Sequence, residues 1–223
     1  MMKLFYSATS PYVRKVRMVI LEKGLSDLVT FDERSAYDLD DDLIAANPLC
    51  KVPALVRDDG VTLFDSPVIC EYLDSLNQTP QLMPAAGEAR WSVLRLIALA
   101  DGMTDAAYLA RMESVRPEGQ KSADAIAAQR AKIRRGVAAL DAGELPAEGA
   151  LDLGVIALSC LLQRLASLAD RLHLVLPKLL AVLFQVLLRL VHDLLDLVLH
   201  IDQLTLRLVS LSVRLGLRPH AFD

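Results

Sequence analysis

Residues 47–73 read Asn-Pro-Leu-Cys-Lys-Val-Pro-Ala-Leu-Val-Arg-Asp-Asp-Gly-Val-Thr-Leu-Phe-Asp-Ser-Pro-Val-Ile-Cys-Glu-Tyr-Leu and combine the signals of a hairpin and of a helix start. Two short apolar runs, Ala54–Val56 and Val61–Phe64, flank an Asp-Gly pair, which predicts a β-hairpin. Asp65-Ser66-Pro67 then predicts a helix start, because a proline at the first helical position loses no hydrogen bond. A helix that begins here presents free N–H groups beside an aspartate and a serine, which suits a carboxylate ligand.

The preceding residues predict a β-α-β-α order. Lys3–Tyr6 has strand character, and Ser10-Pro11 predicts the start of a helix that ends near Gly24. Leu28–Phe31 is the second predicted strand, and Leu39–Ala46 is a short predicted helix. With the hairpin and the helix after it, the N-terminal part of the chain reads βαβαββα, the order of thioredoxin-like domains.

The hairpin stretch resembles the glutathione-binding half of the glutathione S-transferase family. Asn-Pro-x-x-Lys-Val-Pro-Ala-Leu, the Asp-Gly hairpin and Asp-Ser-Pro-Val-Ile-Cys-Glu-Tyr-Leu occur in the family's order and spacing. The resemblance implies that the peptide bond before Pro53 is cis and that the backbone at Val52 pairs with glutathione like an added strand. It also implies that Lys51 contacts the glycyl end of glutathione.

The same resemblance implies that Asp65 and Ser66 hold the γ-glutamyl end of glutathione. From the residues alone, an alternative stays open: Asp65 or Ser66 only caps the helix.

Ser10 is the predicted catalytic residue. The run Ser10-Pro-Tyr-Val-Arg-Lys-Val16 resembles the serine-type members of the family, in which this serine donates a hydrogen bond to the glutathione sulfur. A free thiol has a pKa of about 8.5, and a helix N-terminus with a hydroxyl donor stabilises the reactive thiolate. Two alternatives are weaker: Tyr6 is expected to pack as a strand residue, and Thr9 is a second hydroxyl.

The resemblance extends over about residues 1–162 and implies two domains. These are a thioredoxin-like α/β domain over 1–76 and an all-α domain over 88–223, joined by a linker over 77–87 that is rich in helix-breaking residues. In the family the first helix of the second domain lines the pocket for the electrophile, so Asp105 and Tyr108 are pocket candidates. The alternative is that both are polar residues on a solvated helix face.

Composition argues against several other classes of protein. The net charge is −4 with acidic and basic residues mixed, which does not indicate a nucleic-acid-binding surface. Three cysteines without CxxC spacing indicate a reducing, cytoplasmic setting. Cys50 replaces the small residue that usually precedes Lys-Val-Pro, and we interpret it as structural. The N-terminus is not expected to be a signal peptide.

Beyond Leu162 the family pattern ends. Leucine makes up roughly two residues in five as far as Leu217, and there is no Glu after Glu148. The tail, residues 163–223, is predicted to be mostly helical because many of its leucines follow a heptad spacing, although short stretches alternate like strands. Such an abrupt change inside one domain suggests that the reading frame shifted near residue 163.

Two other functions of the tail are disfavoured by its sequence. Charged residues interrupt the apolar windows that a transmembrane segment needs. His192, Asp196 and His200 share a helical spacing but lack a fourth metal ligand, so no metal site is predicted.

These patterns together predict a cytoplasmic glutathione transferase. It would take glutathione as co-substrate, activate the thiol at Ser10 and add it to a small electrophile, most often as a homodimer in this family. The competing prediction is a non-catalytic module of the same fold that acts through protein contacts.

Overall fold

The computed structural model describes residues 1–35, 37–144 and 151–166. The predicted tail beyond residue 166, with the His192, Asp196 and His200 set, lies outside them. No helix in these ranges is long and apolar enough to span a membrane.

The N-terminal part is built on a four-stranded mixed sheet. Its strands are β1 (Met2–Tyr6), β2 (Val29–Glu33), β3 (Ala54–Val56) and β4 (Thr62–Leu63). Their order is β2-β1-β3-β4, with β1 parallel to β2 and antiparallel to β3, and β3 antiparallel to β4. Gly60 closes the predicted hairpin with a φ of +82°, a conformation that favours glycine.

Three helices complete this part: α1 (Pro11–Glu22), α2 (Asp41–Ala46) and α3 (Ser66–Ser75). The apolar residues of α1 recur at helical spacing and are buried: Val13, Val16, Val19 and Ile20. The predicted βαβαββα order is therefore confirmed.

Several predicted boundaries are shifted, since β1 begins at Met2 and β4 is confined to Thr62–Leu63, and two further shifts have identifiable local reasons. The second strand begins at Val29, because Ser26–Leu28 form a 3₁₀ turn before it. Helix α2 begins at Asp41 rather than Leu39, because the Asp40 carboxylate accepts a hydrogen bond from the Leu43 N–H at 2.8 Å and caps the helix.

The second part is helical, as predicted. It contains α4 (Gly87–Ser114), α5 (Ala123–Ala139), a short π-helical turn (Leu140–Glu144) and α6 (Leu153–Ala166). Helix α4 packs against both α5 and α6. The α4–α5 contact is close at Gly136, where a Cβ atom would overlap with the Met103 side chain.

A buried ion pair anchors the segment between α3 and α4. Lys23 Nζ, fully buried at the end of α1, donates to Asp74 Oδ1 at 2.8 Å and to the carbonyls of Asn77 and Pro80 at 2.8 and 2.6 Å. Asp74 also accepts from the Leu82 N–H at 2.9 Å, and the Leu82 carbonyl accepts from the first residue of α6. All three ammonium hydrogens therefore have partners, which a buried charge requires.

Candidate functional site

The N-terminus of α1 carries Ser10 as its cap. Ser10 Oγ accepts a hydrogen bond from the Val13 N–H at 3.3 Å, and Pro11 occupies the first helical turn. A hydroxyl can accept and donate at once, so its hydrogen stays available to another acceptor. The side chain is half-buried, and the structure thus leaves Ser10 able to donate to an anion at the positive end of a helix.

The N-terminus of α3 is arranged differently. Asp65 holds the cap position, but its side chain makes no capping hydrogen bond and is exposed. Ser66 is 1% exposed, and its Oγ has no hydrogen-bond partner among the described residues. Neither side chain therefore makes a capping hydrogen bond within the described residues.

Asn47 shapes the loop that leads to the third strand. Its side-chain amide donates to the Lys51 carbonyl at 2.9 Å, and its side-chain oxygen accepts from the Leu49 N–H at 3.1 Å. Cys50 between them has a φ of +50°, in the left-handed region that favours glycine. Its thiol lies 3.5 Å from the Asp38 carbonyl.

Lys51, Val52 and Pro53 follow this loop. The Val52–Pro53 peptide bond is cis, as the resemblance implied. The Lys51 side chain is exposed, and Pro53 is buried at the start of β3. Within the described ranges Val52 makes no backbone hydrogen bond, so its N–H and C=O are available to an extended ligand.

Two polar contacts join α1 to α4. The Tyr12 hydroxyl donates to the Asp105 carboxylate, and Lys15 Nζ lies 2.6 and 2.8 Å from the two oxygens of Asp101. Burial raises the pKa of Tyr12 above its ordinary value, and the hydrogen bond to Asp105 and the nearby charge of Asp65 add to this. Tyr12 therefore stays protonated as the donor.

Two opposing effects act on the pKa of Asp101. Burial raises the pKa of its carboxyl group, and the adjacent Lys15 ammonium lowers it. Because Lys15 contacts both carboxylate oxygens, we assign an ion pair to this contact.

Tyr108 lies one turn beyond Asp105 on α4. Its hydroxyl is 3.5 Å from the hydroxyl of Tyr37, which belongs to the loop between β2 and α2. This contact raises the pKa of Tyr108. Asp105 and Tyr108 therefore each meet a tyrosine of the N-terminal part.

Tyr6 packs as a strand residue. Its ring meets Phe31 edge-on at a centroid distance of 5.9 Å, and the Arg17 guanidinium lies 6.0 Å from its centroid. Thr9 is exposed, and its hydroxyl lies 3.4 Å from that of Ser7. These contacts of Tyr6 and Thr9 do not involve Asp65 or Ser66 at the start of α3.

Two of the three cysteines are chemically quiet. Burial raises the pKa of both Cys70 and Cys160 to about 12, so these thiols stay protonated and are poor nucleophiles. Within residues 1–35, 37–144 and 151–166 there is no group of three or more metal-ligating side chains.

Sequence reasoning missed Tyr12, Lys15 and Asp101 as parts of the site. A weak signal existed: Tyr12 directly follows Ser10-Pro11, and Asp101 and Asp105 share one helix face by their four-residue spacing. Nothing in these patterns indicates which helices meet.

Comparison with known proteins gives two different family matches. A family model described as glutathione S-transferase, N-terminal domain, matches residues 9–76. Another, described as NAD-specific glutamate dehydrogenase, matches residues 156–223, which include the tail with the altered composition.

Similar proteins include a GST-like protein, YibF, from Escherichia coli K12. The two are 38% identical over 163 residues, which cover 71% of this chain and 79% of that protein. A stringent starvation protein A homolog from Pasteurella multocida is 34% identical over 52% of this chain and 59% of its own length.

A solved glutathione S-transferase from Methylobacillus flagellatus KT, with glutathione bound, superposes with a TM-score of 0.74. It is 38% identical, and the match covers 83% of this chain and 92% of that one. Together with the mixed sheet, the helical second part and the polar start of α3, these similarities lead to one assignment: the chain belongs to the glutathione S-transferase family.

Proposed function

We propose that this protein is a glutathione transferase that activates the glutathione thiol for addition to a small electrophile. The observation that carries the proposal is the buried Ser66 hydroxyl without a described partner, next to an Asp65 carboxylate that caps nothing. A buried polar group without a partner costs about 1–3 kcal/mol, and a ligand carboxylate at this helix N-terminus would relieve that cost.

The proposed binding mode uses three elements. Asp65 pairs with the γ-glutamyl ammonium, and Ser66 with the N-terminus of α3 holds the γ-glutamyl carboxylate. The backbone of Val52 pairs with the cysteinyl part of glutathione, and Pro53 ends the loop beside it. Lys51, exposed at the end of the loop, contacts the glycyl carboxylate.

The proposed chemistry depends on Ser10. Its hydroxyl donates to the glutathione sulfur while the N-terminus of α1 stabilises the same negative charge, which favours thiolate over thiol. The thiolate then forms a carbon–sulfur bond with the electrophile, and a leaving group such as halide departs with the electron pair of the bond that breaks. Asp105 and Tyr108 border the electrophile.

We also propose that residues 1–76 and 88–223 are its two domains, joined by residues 77–87, and that it works in the cytoplasm in detoxification. The three free cysteines fit a reducing compartment.

A homodimer is the proposed assembly. Trp91 is 62% exposed on α4, and a groove of about 370 Å³ runs between α4 and α5 with Lys132 and Arg135 in its lining. The β3–β4 hairpin of a second copy offers an exposed apolar side chain, Val61, beside an exposed carboxylate, Asp58, which suits this surface. Light scattering should give twice the chain mass, and a monomer mass would contradict the assembly.

A non-catalytic module of the same fold is the second candidate. The similarity to a stringent starvation protein A homolog favours this candidate, because that related protein is not named as a transferase.

One experiment separates the two functions. Glutathione affinity is measured by calorimetry, and turnover is measured with a panel of aryl halides, epoxides and unsaturated carbonyl compounds. Binding with turnover of at least one electrophile supports the transferase. Binding without any turnover favours the module, and absence of binding refutes both uses of glutathione.

A further inference from the structure

Asp105 is a carboxylate held in place next to the helix that carries Ser10. It is exposed on α4 and accepts a hydrogen bond from the Tyr12 hydroxyl, two residues after Ser10 in the chain. A hydrogen bond from a neutral hydroxyl orients a carboxylate without removing its charge. Asp105 therefore places a fixed negative charge near the proposed position of the sulfur.

The neighbouring charges do not cancel it. Lys15 is 2% exposed and is engaged by both oxygens of Asp101. Within the described part of the chain, no lysine or arginine forms an ion pair with Asp105.

Asp65 supplies a second carboxylate whose field reaches Tyr12. In the proposed binding mode the γ-glutamyl ammonium neutralises Asp65, so a complex with glutathione leaves Asp105 as the uncompensated charge on the electrophile side.

We infer that Asp105, positioned by Tyr12, selects the electrophile by charge and favours cationic or neutral electrophiles over anionic ones. This inference rests on the proposed glutathione site. Asp105 attracts a cationic ligand and repels an anionic one at the same distance with equal and opposite electrostatic free energy. The ratio of the two affinities therefore reflects twice the free energy that either ligand shows alone.

The test measures binding of three glutathione conjugates to the full chain by calorimetry. They are S-propylglutathione, S-(2-carboxyethyl)glutathione and S-(2-trimethylammonioethyl)glutathione, which differ in charge at the sulfur substituent. We expect the cationic conjugate to bind more tightly than the anionic one, and Asp105→Asn to lower that ratio about ten-fold with little change for the neutral conjugate. Tyr12→Phe should lower it by a smaller factor, because Asp105 keeps its charge but loses its orientation.

Glu88→Gln is the matched control. It removes an exposed carboxylate from the same helix, roughly 25 Å away along the axis, and should leave the ratio unchanged. A second measurement needs only the wild type. The ratio of its affinities for the cationic and the anionic conjugate should fall as the salt concentration rises, because an exposed charge is screened.

A ratio that is equal in the wild type and Asp105→Asn, while the conjugates still bind, overturns the inference and leaves the glutathione site standing. A wild-type affinity ratio that does not change with salt concentration also overturns the inference and leaves the glutathione site standing. If neither glutathione nor any conjugate binds, the proposed function and this inference fail together.

Discussion

The N-termini of α1 and α3 are built from similar residues and behave differently. Each has a polar residue at the cap and a proline in the first turn. At α1 the Ser10 hydroxyl bonds to the helix that it caps, whereas at α3 the Asp65 carboxylate makes no such bond and the Ser66 hydroxyl is buried without a described partner. A side chain thus caps α1, whereas among the described residues no capping bond is made by Asp65 or Ser66 at α3.

From this difference we expect one helix N-terminus to contribute most of the affinity for glutathione and the other to activate its thiol. A terminus with unmet hydrogen-bonding groups gains most from a ligand, so α3 should dominate affinity. A terminus that is already capped gains less, but its hydroxyl hydrogen can still act on an anion, so α1 should dominate thiol activation.

Replacing both polar residues at α3 should have the largest effect. Asp65→Ala with Ser66→Ala removes charge-assisted hydrogen bonds to the γ-glutamyl group, and glutathione affinity should fall by more than about 2 kcal/mol, or roughly 30-fold. Calorimetry on the folded double variant measures this loss.

The matched control for that double variant is Ser122→Ala at the start of α5. Ser122 Oγ caps its helix by accepting from the Ala125 N–H at 3.1 Å. Its loss should lower stability and leave glutathione affinity unchanged. Unchanged affinity in the Asp65 and Ser66 double variant would remove both residues from the site.

The next effect in size concerns α1. Ser10→Ala should raise the pKa of the bound thiol toward its free value of about 8.5, and each unit corresponds to about 1.4 kcal/mol. The pKa should rise because the Ser10 hydroxyl donates a hydrogen bond that stabilises the thiolate. Without this donor, less thiolate is present at neutral pH. Thiolate absorbance against pH measures the shift, and glutathione affinity should change little.

In the ligand-free protein, Ser10→Ala should lower the free energy of unfolding more than Ser66→Ala does, although the α3 residues have the larger effect on glutathione affinity. Ser10→Ala loses a helix cap and should cost about 1 kcal/mol. Ser66→Ala removes a buried hydroxyl that has no described partner, so it should be neutral or stabilising by up to about 1 kcal/mol. Urea denaturation compares them, and equal losses would mean that Ser66 is satisfied in the free protein.

Local signals explain what the sequence predicted well. The hairpin follows from an Asp-Gly pair between β-prone runs, and the starts of α1 and α3 follow from polar residues before prolines. Each signal spans a few residues, so it does not depend on tertiary packing. The glutathione-binding candidates lie within such stretches, which is why they could be named in advance.

Contacts between distant residues could not be predicted in this way. Tyr12 and Asp105 are 93 residues apart, and Lys15 and Asp101 are 86 apart. Periodicity shows which residues of α1 are buried, but it does not show which helix they meet. The two contacts between α1 and α4 therefore became visible only in the fold.

The tail raises a separate question about the gene. Residues 156–223 match a family model other than that of the N-terminal part, and the composition changes near residue 163. Sequencing of the coding DNA tests the predicted frame shift: we expect a single-base insertion or deletion near codon 163. An intact frame with no better downstream alternative would contradict it.

The smallest effect belongs to Tyr6, and it tests whether the α1 terminus acts alone on the thiol. Its ring is held by Phe31 and Arg17, and no described contact of Tyr6 involves either helix N-terminus. Tyr6→Phe keeps the ring and removes only the hydroxyl, so stability should change by less than about 0.5 kcal/mol. The thiolate titration should be indistinguishable from that of the wild type, in contrast to Ser10→Ala measured in parallel. If Tyr6→Phe shifts the titration and Ser10→Ala does not, then the hydroxyl that activates the sulfur comes from the first strand, and the division of roles between the two helix N-termini is wrong.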